Sequence, residues 1–191
     1  MNRSGNPAVS LASQSDINVL CDPSFTVATW LSTILQEVPA GLRQSVIFKL
    51  VQALLQVRLP RSQVRTKHIQ LPSGCRDELV VGRDSYHVSD TPGPQHLRGC
   101  KATLRRKRRP ILVVPEYAIH RADRLRHLAD IQSEVQIVSL ETLFAVGIVF
   151  EAVRRGRTIP DMWKALISEY NRGVQDASCP AIILEWGTQN N

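Results

Sequence analysis

Apolar residues recur at helical spacing in the first third of the chain and predict two amphipathic helices. The first lies within CDPSFTVATWLSTILQEV, residues 21–38, where Asp22 or Ser24 is placed to cap the helix N-terminus. A Pro-Ala-Gly segment breaks the pattern. The second helix follows in LRQSVIFKLVQALLQVRLP, residues 42–60, and ends before Pro60. Its broad apolar stripe indicates a helix that is buried on one side against a sheet.

After Pro60 the period of the apolar residues falls from that of a helix to that of a strand. The segments TKHIQL (66–71), DELVVG (77–82) and SYHVS (85–89) are short, apolar or alternating, and bounded by turn-forming residues. Gly82, Arg83 and Asp84 supply the turn between the second and third of them. These three segments therefore predict an antiparallel meander.

The rest of the chain alternates between helical and strand patterns. PILVVP is the cleanest strand, and its lack of polar residues is typical of a parallel strand that is covered on both faces. The predicted elements are a helix over 95–109, a strand over 110–115, a helix over 116–131, a strand over 135–140, and helices over 141–155 and 160–174. The order ααβββαβαβαα predicts an α/β fold with a meander followed by βα crossover units.

The pattern also predicts how the chain is organised. Residues 1–20 read as a flexible N-terminal segment, residues 21–178 as one domain, and residues 179–191 as a C-terminal tail. The N-terminus lacks the apolar core of a secretory signal, and no apolar run is long enough to span a membrane. The four cysteines form no C-x-x-C pair, so we expect free thiols in a soluble, cytoplasmic protein.

Charge then points to a class of partner. The net charge is +7 and most of the 24 basic residues are arginine, which binds phosphate in a bidentate manner. The run LRRKRR, 104–109, is either a phosphate-contacting segment or a helix end whose cations complement the helix dipole. We expect DNA contacts from the cations of two predicted helices: Arg98, Lys101, Arg105, Arg106, Lys107, Arg108, Arg109, Arg121 and Arg124.

Candidate catalytic residues cluster on the meander. Asp77 and Glu78 open its second strand, and only one of them can face the same side as His87 because side chains alternate along a strand. His87 and Ser89 share one face of the third strand. His87 either binds a metal or accepts a proton from water, or else it only hydrogen-bonds a neighbouring carbonyl group. Ser89 cannot supply a positive charge.

These segments resemble a known superfamily. The resemblance rests on features that follow one another along the chain: the meander with its acid and His87-Val88-Ser89 box, then Pro92, Cys100 and the strand PILVVP. Together they look like the pattern of restriction-endonuclease-like proteins of the PD-(D/E)XK superfamily. Within that superfamily the segments resemble the C-terminal domain of a little-characterised family with an acid followed by a His-Val-Thr box. The resemblance covers about residues 22–176. His87 stands where the superfamily has an acid, and Ser89 where it has a lysine.

The resemblance implies a fold and a function. The fold would be the restriction-endonuclease-like core, αβββαβ, with a mixed sheet flanked by helices and extended by a further βα unit and a C-terminal helix. The function would be metal-dependent cleavage of double-stranded DNA, as a type II-like endonuclease (a hydrolase) in restriction-modification or phage defence. Mg²⁺ or Mn²⁺ would be held by Asp77 or Glu78 together with His87.

The same resemblance implies two kinds of partner. Cleavage of both strands would imply a homodimer, and a methyltransferase or another defence-system subunit would be the protein partner. The alternative hypothesis is a catalytically inactive module of the same fold that binds DNA or protein.

Overall fold

The computed structural model describes residues 17–21, 26–71, 74–175 and 182–186. Its centre is a five-stranded mixed sheet in the order β2-β3-β4-β5-β6. The strands are β2 (Val64–Leu71), β3 (Gly74–Val81), β4 (Asp84–Val88), β5 (Arg109–Val114) and β6 (Gln136–Ser139). The first three form the predicted antiparallel meander, while β4, β5 and β6 are parallel. The predicted α/β class with a mixed sheet flanked by helices is therefore confirmed.

Helices cover both faces of this sheet. One layer contains α3 (Pro94–Arg105) and α4 (Ile119–Leu128), and the other contains α1 (Val27–Glu37), α2 (Ala40–Arg58), α5 (Leu140–Arg155) and α6 (Ile159–Gln175). Alternation along β5 produces the two layers. Leu112 and Val114 pack in the small core under α3 and α4, whereas Ile111 and Val113 pack in the larger core on the opposite face.

The larger core contains three large aromatic side chains from the helices. Trp30 and Trp163 are both buried there, with ring centroids 4.3 Å apart. Tyr170 is also fully buried in this cluster. These side chains therefore stabilise the interior, and none of the three is exposed as a surface on which nucleic-acid bases could stack.

Several predicted boundaries need correction. The helix expected over 95–109 ends at Arg105, because Lys107 has a φ of 56° that no α-helix continues through. Glu116–Ala118 forms a 3₁₀ turn, and the helix after it begins only at Ile119. Thr26 caps α1 by accepting a hydrogen bond from the Thr29 amide, whereas the predicted caps Asp22 and Ser24 lie outside the described residues.

Two strands were missed by the sequence analysis. β1 (Ile17–Cys21) pairs in parallel with β7 (Ile182–Trp186) as a separate two-stranded sheet. Residues 17–20 had been assigned to a flexible segment and 182–186 to a tail. The amide of Asn171 in α6 bonds both backbone groups of Leu184, at 2.8 and 3.0 Å, and so holds β7 against the larger core.

No helix in the described part of the chain is both long and apolar enough to cross a bilayer.

Candidate functional site

Glu78 is the acid of the meander that faces His87. It lies on β3 and is fully buried, facing α3, whereas the adjacent Asp77 is exposed. The two terminal nitrogens of Arg106 donate to the two carboxylate oxygens of Glu78, at 2.9 and 3.0 Å. Thr103 Oγ1 donates a third hydrogen bond to Glu78 Oε2, at 3.0 Å. Both oxygens of this buried carboxylate are therefore bound by protein donors.

His87 completes this buried cluster from the neighbouring strand, β4. Its Nε2 lies 2.9 Å from Thr103 Oγ1 and 3.6 Å from Glu78 Oε2. Since the single hydroxyl proton of Thr103 goes to Glu78, the Thr103 oxygen accepts from His87, and Nε2 carries the proton. The ring sits close to α3, because a Cβ on Gly99 would lie 3.4 Å from His87 Nδ1. We call Glu78, His87, Thr103 and Arg106 the Glu78 cluster.

Ser89, the other residue of the predicted box, is buried but takes a different role. Its backbone amide donates to the Val113 carbonyl at 2.9 Å and continues the pairing of β4 with β5. Within the described part of the chain, the hydroxyls of Ser89 and of Ser85 on β4 have no hydrogen-bond partner. The structure thus brings Glu78 and His87 together, while the hydroxyl of Ser89, one residue beyond the end of β4, hydrogen-bonds to neither.

Cys100 belongs to the core next to this cluster. It is a fully buried free thiol on α3, and burial raises its pKa to about 12. A thiol with so high a pKa is not a nucleophile at neutral pH. Cys100 is therefore a packing residue.

The basic run does not act as one surface. Arg106 turns inward to Glu78, Arg108 donates to the Gly82 carbonyl at 3.0 Å, and Arg109 pairs with Asp84 at 2.7 Å. Arg105 and Lys107 are exposed. The run therefore ties the end of α3 to the turn between β3 and β4, and only part of it is available to a ligand.

A basic groove lies beside this turn. It has a volume of about 360 Å³ and is lined by Ser62, Gln63, Arg65, Lys67, Val80, Gly82 and Arg108. Lys67 is the register partner of Glu78, and Arg65 is that of Val80, so both cations stand next to the Glu78 cluster on the edge strand β2. Sequence reasoning missed Arg65. The strand predicted over 66–71 begins one residue after Arg65, whereas the observed strand begins at Val64 and places Arg65 and Lys67 at i, i+2.

The remaining predicted DNA contacts are exposed on the layer of α3 and α4. Arg98 and Lys101 are exposed on α3, and Arg121 and Arg124 on α4. Residues 94–109 contain seven Lys or Arg and no Asp or Glu, which equals the net charge of +7 of the whole chain. The positive charge is thus concentrated in one segment.

The Glu78 cluster is a poor fit to Mg²⁺ or Mn²⁺. Among the described residues, no three His, Cys, Asp or Glu side chains group closely enough to hold a metal ion. The carboxylate of Glu78 already binds a guanidinium, whose positive charge repels a cation, and Mg²⁺ prefers several oxygen ligands. Asp77, the second expected ligand, is exposed and on the opposite strand face.

A second buried carboxylate was not predicted. Glu151 on α5 accepts hydrogen bonds from Arg154 at 2.6 Å and Arg155 at 3.1 Å, and Arg58 approaches to 3.8 Å. Burial disfavours its charged form, but these hydrogen bonds outweigh burial, so the pKa of Glu151 is lowered. Next to Glu151 is a cavity of about 330 Å³, with Tyr86 and Phe150 in its wall.

Comparison with known proteins adds no relative. The chain matches no family model, no curated protein and no solved structure.

Proposed function

We propose that this chain is a DNA-binding module with a restriction-endonuclease-like core, in which an ion pair stands where a nuclease would keep its metal ligands. The observation that carries the proposal is the concentration of charge. Seven cations without an acid follow one another from α3 to β5, and four of them are exposed and take no part in the contacts with Glu78, Gly82 and Asp84: Arg98, Lys101, Arg105 and Lys107. The same segment contributes Arg108 to a groove that Arg65 and Lys67 also line. Such a surface suits the phosphodiester backbone of a duplex.

The element order supports the choice of architecture. A helix, a three-stranded meander, a helix and a further strand parallel to the third strand follow in the order that the resemblance implies. Glu78 and His87 occupy the second and third strands of the meander, where the superfamily keeps its acid and its acid-x-lysine triplet.

The chemistry of the Glu78 cluster favours the module over the nuclease hypothesis. Metal-assisted hydrolysis needs a carboxylate that is open to the ion, but both oxygens of Glu78 are bound by Arg106 and Thr103. The Nε2–H of His87 donates a hydrogen bond to Thr103, so this nitrogen is not available as a base. The cluster therefore suits a structural role in joining α3 to the sheet.

Salt dependence of DNA affinity tests the proposal. Binding of a labelled duplex is measured by fluorescence anisotropy over a series of salt concentrations, for the wild type and for Arg105→Ala/Lys107→Ala. We expect affinity to fall steeply with salt in the wild type, and the logarithmic slope to lessen by about 2 in the variant. Lys164→Ala/Arg172→Ala, which removes two exposed charges from α6, is the matched control and should leave the slope unchanged.

A flat salt dependence would contradict DNA binding and favour a module that binds protein. Cleavage is tested separately by incubating supercoiled plasmid with the wild type and with His87→Ala in Mg²⁺ or Mn²⁺. We expect binding without nicking. Nicking that disappears in His87→Ala would instead support the nuclease hypothesis, and nicking that persists would place an active site elsewhere.

A further inference from the structure

The cavity beside Glu151 lies on the larger-core side of the sheet, where the C-terminal turns of α2 and α5 meet β4. Its volume is about 330 Å³. Apolar and polar side chains share the lining: Leu55, Leu59 and Phe150, and Arg58, Tyr86 and Glu151. A cavity of this size that combines apolar walls with a few polar groups is typical of a site for a small molecule.

Arg58 brings unused hydrogen-bond donors to this cavity. Its side chain is only 29% exposed, yet its side-chain nitrogens make no hydrogen bond within the described part of the chain. Glu151 Oε1 lies 3.8 Å from Arg58 Nε, which is beyond hydrogen-bond distance. A guanidinium group holds its N–H donors in a planar fork that matches the two oxygens of a carboxylate. The terminal nitrogens of Arg58 are therefore suited to bind an acid group.

The charges around the cavity also favour an anion. Arg154 and Arg155 already donate three hydrogen bonds to Oε2 of Glu151. Together with Arg58 they place three positive charges around a single negative one. The wall of the cavity therefore keeps an excess of positive charge, which an anionic ligand would offset.

Tyr86 on β4 supplies a further donor. The residue is half-buried, and its hydroxyl makes no hydrogen bond to any residue that the structure describes. Burial, and after it the charge of Asp84, raises the pKa of this phenol, so the group stays protonated at neutral pH. Its hydroxyl is therefore able to donate to the same acid group as Arg58.

The apolar wall indicates what the rest of the ligand is. Phe150 is 54% exposed, and the guanidinium carbon of Arg58 lies 5.8 Å from the centroid of its ring. A flat ring packs well against an aromatic side chain and a neighbouring guanidinium group. Leu55 and Leu59 add aliphatic surface to the same wall.

We propose that this cavity binds a small aromatic carboxylate. Arg58 and the hydroxyl of Tyr86 hold the carboxylate of the ligand, while its ring packs against Phe150, Leu55 and Leu59. The cavity lies on the opposite face of the sheet from α3 and α4, so the proposal does not rest on DNA binding. A ligand of this size that makes so few contacts binds weakly, with a dissociation constant on the order of 0.1 to 1 mM.

Amide NMR spectra of the isotope-labelled intact chain, recorded without DNA, test the proposal with naphthoate as the probe. We expect saturable shifts at the C-terminal ends of α2 and α5 and on β4. Naphthamide has the same shape without the charge, and acetate has the carboxylate without the ring. Each should bind at least about tenfold more weakly than naphthoate.

Variants of the two donors test the residues themselves. Arg58→Lys keeps the charge but loses the planar fork, so naphthoate should bind about tenfold more weakly. Tyr86→Phe removes only a hydroxyl group and should weaken binding severalfold. Arg124→Lys, at an exposed position on α4, is the matched control and should leave the affinity unchanged. Circular dichroism establishes that each variant is folded, and Tyr86→Phe decides the matter if Arg58→Lys is not.

Three results would overturn the proposal. The first is a wild type in which naphthoate leaves the signals around the cavity unchanged. The second is naphthamide or acetate binding as tightly as naphthoate, since the site would then not recognise an aromatic acid. The third is unchanged affinity in the folded donor variants. Because no DNA is present, failure here is distinct from failure of the proposed function.

Discussion

The two buried glutamates, Glu78 and Glu151, are held in different ways. Glu78 is bound by side chains from other elements, with Thr103 near the end of α3 and Arg106 just beyond it. Glu151 is bound mainly by its own helix, since Arg154 and Arg155 stand three and four residues further along α5. The first carboxylate therefore joins separate parts of the fold, while the second mostly stabilises the helix that carries it.

This difference shows what a buried acid reveals about function. Both glutamates are nearly inaccessible and both are paired with arginine, so burial and charge alone do not distinguish them. What sets Glu78 apart is its hydrogen-bonded chain through Thr103 to a histidine on the next strand. A polar network between elements fixes their relative position, whereas local pairs contribute less.

Arg106→Ala should have the largest effect on stability. It leaves the fully buried Glu78 without its cation, and we expect the free energy of unfolding to fall by about 3 kcal/mol. Urea denaturation followed by circular dichroism measures the change. Arg105→Ala, which removes the exposed neighbour, is the control and should change little. An equal effect of both variants would mean that the ion pair is not needed.

Thr103→Val should have the next largest effect. The substitution keeps the shape of the side chain but removes the hydroxyl that joins His87 to Glu78, so we expect a loss of about 1 to 2 kcal/mol. Thr66→Val, on the exposed side of β2, is the control for the substitution itself. Measurement is again by urea denaturation. Unchanged stability would indicate that the His87 contact contributes nothing.

The ion pairs of Glu151 should make the free energy of unfolding fall as the pH is lowered. The pKa of Glu151 is lowered from 4.5 in the folded state, so its contribution is fully present above 4.5 and is lost as pH falls through the folded pKa. Unfolding free energies of the wild type and Glu151→Gln, measured from neutral pH to well below 4.5, should therefore converge at low pH. A difference that grows as the pH falls would contradict the lowered pKa.

Arg154→Ala should have the smallest effect. Arg155 and Arg58 remain beside Glu151, and Arg154 is itself about half exposed, so its loss is compensated. We expect a smaller change in unfolding free energy than for Arg106→Ala, close to the error of the measurement. If Arg154→Ala instead destabilises the protein as much as Arg106→Ala does, the two carboxylates are held alike.

The sequence pattern was sufficient to predict the meander, the parallel strands and most helices, because each has a strong apolar period. It also predicted that one acid of the pair Asp77 and Glu78 would face His87. The choice of Glu78 needed the strand register, which a turn of uncertain length leaves open by one residue.

Arg106 shows why the rest of the site could not be predicted. Within a run of five cations, the sequence does not distinguish Arg106, which binds Glu78, from its neighbours Arg105 and Lys107. The direction of Arg106 depends on where α3 ends and on the left-handed backbone at Lys107, both of which are set by tertiary packing. Glu151 was missed because its three arginines look like ordinary solvent-facing charges.

The pairing of β1 with β7 has a consequence for how the protein is made. Ile17 pairs with Ile182, so 165 residues separate the partners along the chain. At the usual speed of translation, about 5 to 20 residues per second, β1 is synthesised roughly 10 to 30 seconds before its partner. The five-stranded sheet can form during that interval, so the small sheet closes only after the strands of the larger one are available.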